Sequence, residues 1–294
     1  MANPYFSNSA NFGKSTPQPG AVGVGYQPNA QGYAQPSPYG TPGTYDQTTD
    51  AQFQSVQDAY NAPSATAAQT GRLTYDDVIM KTATVLGVIV LTAAVMWFGF
   101  ANGVIPSGLM MPVLWGGLLG GLVLGLVNSF KKEPSPALIL GYAVLEGAFL
   151  GVISMVFNFA YPGIVLQAVL ATFVTFGVTL ALFKSGKVRV TPKFTKILMI
   201  GLVSYGIFCI VNLVLSLTVL GGWGLRAGGF GLVIGAIAVI LAAMTLVMDF
   251  DQIQRGVTNG VARKYAWSAA FGIALSLVWL YLEFLRILAI LRGD

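Results

Sequence analysis

Not one histidine occurs among the 294 residues, and only 9% of them are charged. The first absence removes histidine metal ligands, Ser-His and Cys-His nucleophile pairs, and imidazole as a pH sensor. Any proton sensitivity near neutral pH then falls to carboxylates. The second absence excludes a soluble globular domain, in which about a quarter of the residues carry charge. There is a single cysteine, Cys209, inside an apolar run, so no internal disulfide can form. It reads as a small packed side chain rather than a reactive thiol. A cleavable leader is not expected either. No basic region followed by an apolar run and a small-residue cleavage site opens the chain, so the apolar run from Thr82 is expected to act as an uncleaved anchor.

What the chain has instead is apolar residues, 55% of the total, with a mean hydropathy of +0.70. This composition is that of an integral membrane protein. The net charge of +5 therefore points to orientation in a bilayer and not to a nucleic-acid partner. Residues 1–70 stand apart. They hold eight of the fourteen prolines and six of the twelve tyrosines, and only Lys14, Asp46, Asp50 and Asp58 are charged. Such a segment cannot bury enough apolar surface to offset its conformational entropy, and it is expected to be a disordered, low-complexity cytoplasmic tail. Its Tyr/Pro run PSPYGTPGTY is equally consistent with a docking arm and with a solvated tail.

From residue 71 the pattern changes. Thr74 can cap a helix whose first turn holds Asp76 and Asp77, where the helix dipole favours negative charge. Seven apolar spans follow, each near the ~20 residues that cross a bilayer: about 82–101, 110–130, 137–157, 164–183, 197–220, 229–250 and 266–290. The expected fold is thus all-α, a polytopic domain of seven transmembrane helices over residues 71–294. Glycines within the spans (GGLLGGLVLG, LEGAFLG, GLVIGA) let helix backbones approach closely and point to a tight bundle. Thirteen of the sixteen basic residues fall in the tail and the even-numbered loops. The odd-numbered loops hold only Arg226. This asymmetry predicts a multi-pass protein with a cytoplasmic N-terminus.

Ionisable groups at membrane depth are costly, so each one is a candidate site. Only Glu146 in span three, Asp249 in span six (with Asp251 just beyond) and Glu283 in span seven are acidic, and Arg286 is the one base within a span. Asp251 has the i, i+4 spacing to pair with Arg255, and Glu283 the i, i+3 spacing to pair with Arg286. Asp249 and Glu283 stand out as a candidate proton-sensing pair. Two close carboxylates in a low-dielectric site titrate in coupled steps and, when ionised, offer hard oxygen ligands to calcium. No lysine lies in span seven, which excludes a retinal Schiff base, and no Gly-x-Gly-Asp motif of an intramembrane aspartyl protease occurs. An enzyme is not expected.

Four segments carry a likeness: MDFDQIQRG after span six, ALSLVWLYLEFLRILAILRG in span seven, TYDDVIMKTATVLG before span one and GYAVLEGAFLGVIS in span three. Together they resemble the Bax inhibitor-1 family, the transmembrane Bax inhibitor motif proteins, in its bacterial branch, over about residues 72–292. The resemblance implies six helices around a central seventh, and a pH-sensitive calcium leak or cation/proton exchange governed by acids in spans six and seven. Asp249 falls on the first acid. Glu283 falls on the second, where the best-understood bacterial member has aspartate. A basic partner of the pair would lie near the start of span three, where Lys131 and Lys132 stand. The second span carries no counterpart of the family's acid there, and the loop after span six is longer, with GVTNGVARKYAW. The resemblance further implies the bacterial inner (plasma) membrane, the lipid bilayer, calcium and protons as partners, and no resident cofactor beyond transient calcium. A rival of another class is a non-transporting stress regulator that binds membrane proteases.

Overall fold

The computed structural model describes residues 71–220 and 224–293. The expected tail, residues 1–70, lies outside the described residues. Seven helices long and apolar enough to cross a membrane follow one another: α1 Tyr75–Ala101, α2 Met110–Phe130, α3 Pro136–Ala160, α4 Ile164–Lys184, α5 Pro192–Leu215, α6 Gly228–Thr258 and α7 Ala266–Gly293. This is a multi-pass membrane protein. Among the described residues there are no strands beyond one isolated β-bridge.

The helices outrun the apolar spans because capping, not hydropathy, sets their ends. Thr74 accepts a hydrogen bond from the Asp77 backbone N–H at 3.1 Å and starts α1 seven residues before the apolar run. Thr191 caps α5 through the Phe194 N–H, with Pro192 pre-set for the first turn. Helix α6 continues through MDFDQIQRGVT to Thr258, so much of the expected long loop is helix. Gly163, at φ +82°, turns α3 into α4 and donates to the Asn158 side chain at 2.9 Å.

Helix α7 is the axis. Its Ala270, Phe271, Ala274 and Val278 join Val85 and Ile89 of α1 and Tyr142, Ala143 and Phe149 of α3 in one core cluster. Ile273, Leu277 and Leu280 meet Ala242, Leu246, Phe250 and Ile253 of α6 in a second. Leu285 joins Ile164 and Ala168 of α4 in a third. The expected central seventh span is therefore observed. Helix α2 is seated mainly on α3, and α5 on α6. Both turn large side chains outward, such as Trp115 and Leu119 on α2 and Ile200 and Val203 on α5, as lipid contact requires.

Two glycines set the α1–α3 distance. A Cβ on Gly147 would lie 2.6 Å from the Ile89 carbonyl oxygen, and one on Gly151 would lie 2.5 Å from that of Ala93. No other residue fits this four-residue stripe without parting the helices. At the other pole of α1, the chain entering it is stapled to the α6–α7 connection. Leu73 N–H donates to Val261 O at 2.7 Å, and Arg263 N–H donates to Gly71 O at 2.8 Å. The Arg263 guanidinium also pairs with Asp77 at 2.7 Å.

Candidate functional site

The acids of the three buried helices occupy three different environments. Asp249, half-buried on α6, faces α7 at Gly272 and Ser276. The Ser276 hydroxyl donates to Asp249 Oδ2 at 2.7 Å. Ser276 Oγ lies 3.2 Å from Thr245 Oγ1, and Thr245 in turn bonds the Ala242 carbonyl. Gly272 makes the space: a Cβ there would stand 3.0 Å from Asp249 Oδ1. Among the described residues Asp249 has no ion-pair partner. It is a carboxylate bonded by one neutral hydroxyl on a membrane-spanning helix.

Glu283, on α7, is the opposite case. It is 3% exposed, and the structure surrounds it with charge and hydroxyl. Arg286, one turn on and 4% exposed, bonds its Oε2. Arg226, from the connection between α5 and α6, reaches Oε1 at 2.5 Å. Tyr205 of α5 donates to the same oxygen at 2.6 Å and accepts from Arg226 at 2.8 Å. The Tyr205 ring packs on Trp279 of α7 with centroids 5.5 Å apart. The expected Glu283–Arg286 pair is present as part of this larger cluster. A second tie between helices lies nearby, where Tyr281 and Ser154 of α3 share a hydrogen bond of 2.6 Å.

The structure does not bring Asp249 and Glu283 together as a single pair. Ser276, which holds Asp249, precedes Glu283 by seven residues on α7, about 10 Å along the axis at the usual helical rise. Each acid has its own partners. Glu146, buried on α3, makes no hydrogen bond or ion pair with another described residue, and its Oε2 lies 2.7 Å from where a Cβ would stand on Gly121 of α2. Asp251 pairs with Arg255 at 2.7 Å, the surface i, i+4 pair expected. Lys131 and Lys132 are exposed in the α2–α3 connection and join none of these acids. The basic partners of Glu283 are Arg286 and Arg226. Sequence reasoning named Arg226 only as the lone base of the odd-numbered loops, and that isolation was its signal. Tyr205 gave none. Ser276 could have been found from its i, i+7 relation to Glu283, which puts both near one face of α7.

No three acidic or thiol side chains converge among the described residues. A cation meeting Asp249 would find one carboxylate and two hydroxyl oxygens, all hard ligands suited to calcium. Compared with known families, the chain matches the one described as Bax inhibitor 1 like over residues 3–293. The chain belongs to this family. A search of curated proteins finds no match to it. In this Bax inhibitor 1 like protein, the two acids of the family resemblance therefore stand as separate stations on neighbouring helices, Asp249 of α6 with the Ser276 hydroxyl and Glu283 of the axial α7 with guanidiniums.

Proposed function

We propose that this family member is a proton-controlled pathway for calcium or another cation, working as a leak or as cation/proton exchange. The observation that carries the reading is Asp249, a carboxylate at membrane depth with no cationic partner among the described residues, bonded by Ser276, whose hydroxyl in turn meets Thr245. Ionised, it offers a ligand to a passing cation; protonated, it withdraws that ligand. Glu283 has a different task. Its bonds to Arg226 and Tyr205 hold α5 and the α5–α6 connection against α7, so losing its charge frees that connection. Glu146, without a partner, is a further protonatable point along the bundle. The basic loops support a cytoplasmic N-terminus, and the resemblance supports a bacterial plasma membrane as the protein's place.

Full-length protein in liposomes loaded with a calcium indicator tests this. Calcium entry should occur and should fall as the pH is lowered, because protonation removes the Asp249 ligand. Asp249→Asn should flatten the pH profile, while Glu283→Gln should change the basal rate. Absence of flux at every pH, in protein shown to be folded, overturns the reading and leaves the regulator of membrane proteases as the better account.

A further inference from the structure

At the pole of the bundle beyond Glu283, a cavity of about 320 Å³ opens between the C-terminal ends of α3 and α7 and the N-terminal end of α6. This volume is at the lower end of the range typical of ligand pockets. Its walls are of two kinds. Phe157, Ala160 and Ile290 supply an apolar side, and Arg286, Ala227 and Gly228 supply a polar one. Arg286 is 4% exposed, and its Nε has no hydrogen-bond partner. The two remaining contacts of its guanidinium to protein, the carbonyls of Arg226 and Gly231, are long, at 3.5 and 3.4 Å. Ala227 provides no side-chain cap to α6, so the first N–H groups of this 31-residue helix have no capping side chain, and its first residue, Gly228, lines the cavity.

The charge balance is incomplete at this pole. Arg226 and Arg286 share one carboxylate, Glu283, which leaves a surplus of one positive charge on a buried and a half-buried guanidinium, Arg286 and Arg226. Arg292, on the last turn of α7, is spent on the Pro162 carbonyl and has no acidic partner among the described residues. A buried guanidinium is expensive unless its charge and its N–H groups are met. Nothing within the described residues supplies the second anion.

We propose that this cavity binds a membrane amphiphile with a single anionic head group. The carboxylate or phosphate head would be taken by Arg286 and the open N–H groups of α6, and the acyl chain would lie along Phe157, Ala160 and Ile290. The head group completes the charge of the Arg226–Glu283–Arg286 cluster. The occupant would thereby brace the connection between α5 and α6 from outside the acid stations. Fatty acids and anionic phospholipids share this chemistry, and free inorganic phosphate shares only the head.

The test uses full-length protein in nanodiscs of neutral phosphatidylcholine, with radiolabelled palmitate as probe and with phosphatidylglycerol, hexadecanol and inorganic phosphate as competitors. Saturable binding of one palmitate per protein is expected, displaced by phosphatidylglycerol or by unlabelled palmitate but not by hexadecanol. Which of the two anionic competitors is stronger identifies the natural source. Arg286→Gln should weaken binding about tenfold or more, the scale of losing a charged hydrogen bond. Ala160→Trp, which fills the cavity and leaves the ion cluster intact, should weaken it as well, so the test does not depend on the arginine variant folding. Non-saturable binding, displacement by hexadecanol equal to that by palmitate, displacement by inorganic phosphate alone, or indifference to Ala160→Trp would each overturn the proposal. None of these readouts depends on cation flux.

Discussion

A single carboxylate can be placed in a membrane in more than one way, and Asp249 and Glu283 show two of them. Glu283 is matched by two guanidiniums and a phenol, so its removal exposes charge that has no other outlet. Breaking a buried ion pair by deleting one partner costs about 3–5 kcal/mol. Glu283→Gln should therefore lower the thermal unfolding temperature in detergent markedly, and the double change Glu283→Gln with Arg286→Met should recover part of the loss, because the second change takes away the stranded base. Asp249 has only hydroxyl contacts, so Asp249→Asn keeps its hydrogen bond to Ser276 and should leave the unfolding temperature almost unchanged while altering the pH response. Sequence reasoning could single out both acids, since charge is rare in these spans. It could not separate their environments. That Asp249 meets Ser276 and Glu283 meets Arg226 depends on the rotation of α6 about α7 and on the path of a connection, neither of which hydropathy encodes.

At the scale of elements, seven apolar runs and their order were readable because each run approaches bilayer length. The start of α1 was readable too, from Thr74 as its cap, but the end of α6 was not, because the stretch that extends it to Thr258 is largely polar and hydropathy is blind to helix past the apolar edge. The packing of α1 on α3 rests on Gly147 and Gly151. Gly151→Leu should destabilise the bundle by about 1–3 kcal/mol, as overpacking of a close contact does, and a lowered unfolding temperature would register it. Gly177, with open space where a Cβ would stand, is the matched control, and Gly177→Ala should be silent. The connections carry an electrostatic tie of their own, Lys264 to Glu133 at 2.9 Å. The hydrogen bond from Lys264 holds the Glu133 carboxyl below its ordinary range. Its contribution is therefore present at neutral pH and lost as pH falls through that lowered value. The tie is solvent-exposed, so the effect should be confined to faster amide exchange of the α2–α3 and α6–α7 connections in acid, and Glu133→Gln should produce the same exchange rates at neutral pH.

At the scale of the whole molecule, the basic even-numbered loops and the lone arginine of the odd-numbered loops make a prediction about orientation. In a Cys209→Ser background, a cysteine at Lys187 should be labelled only after the membrane is permeabilised, and one at Ser107 should be labelled in intact cells by an impermeant thiol reagent. The reverse pattern would invert the topology and place the Arg286 cavity on the cytoplasmic side.

The pairing of residues 71–73 with 261–263 makes helices α1 to α6 a closed circuit, with α7 threaded through it and starting at the seam. Whatever pulls on the chain ahead of Gly71 therefore acts on the root of α7 directly, through two backbone hydrogen bonds and the Asp77–Arg263 pair, without the strain having to travel round the six helices between. The seam is the short lever of the molecule: a load applied there is delivered to the helix that carries Ser276 and Glu283.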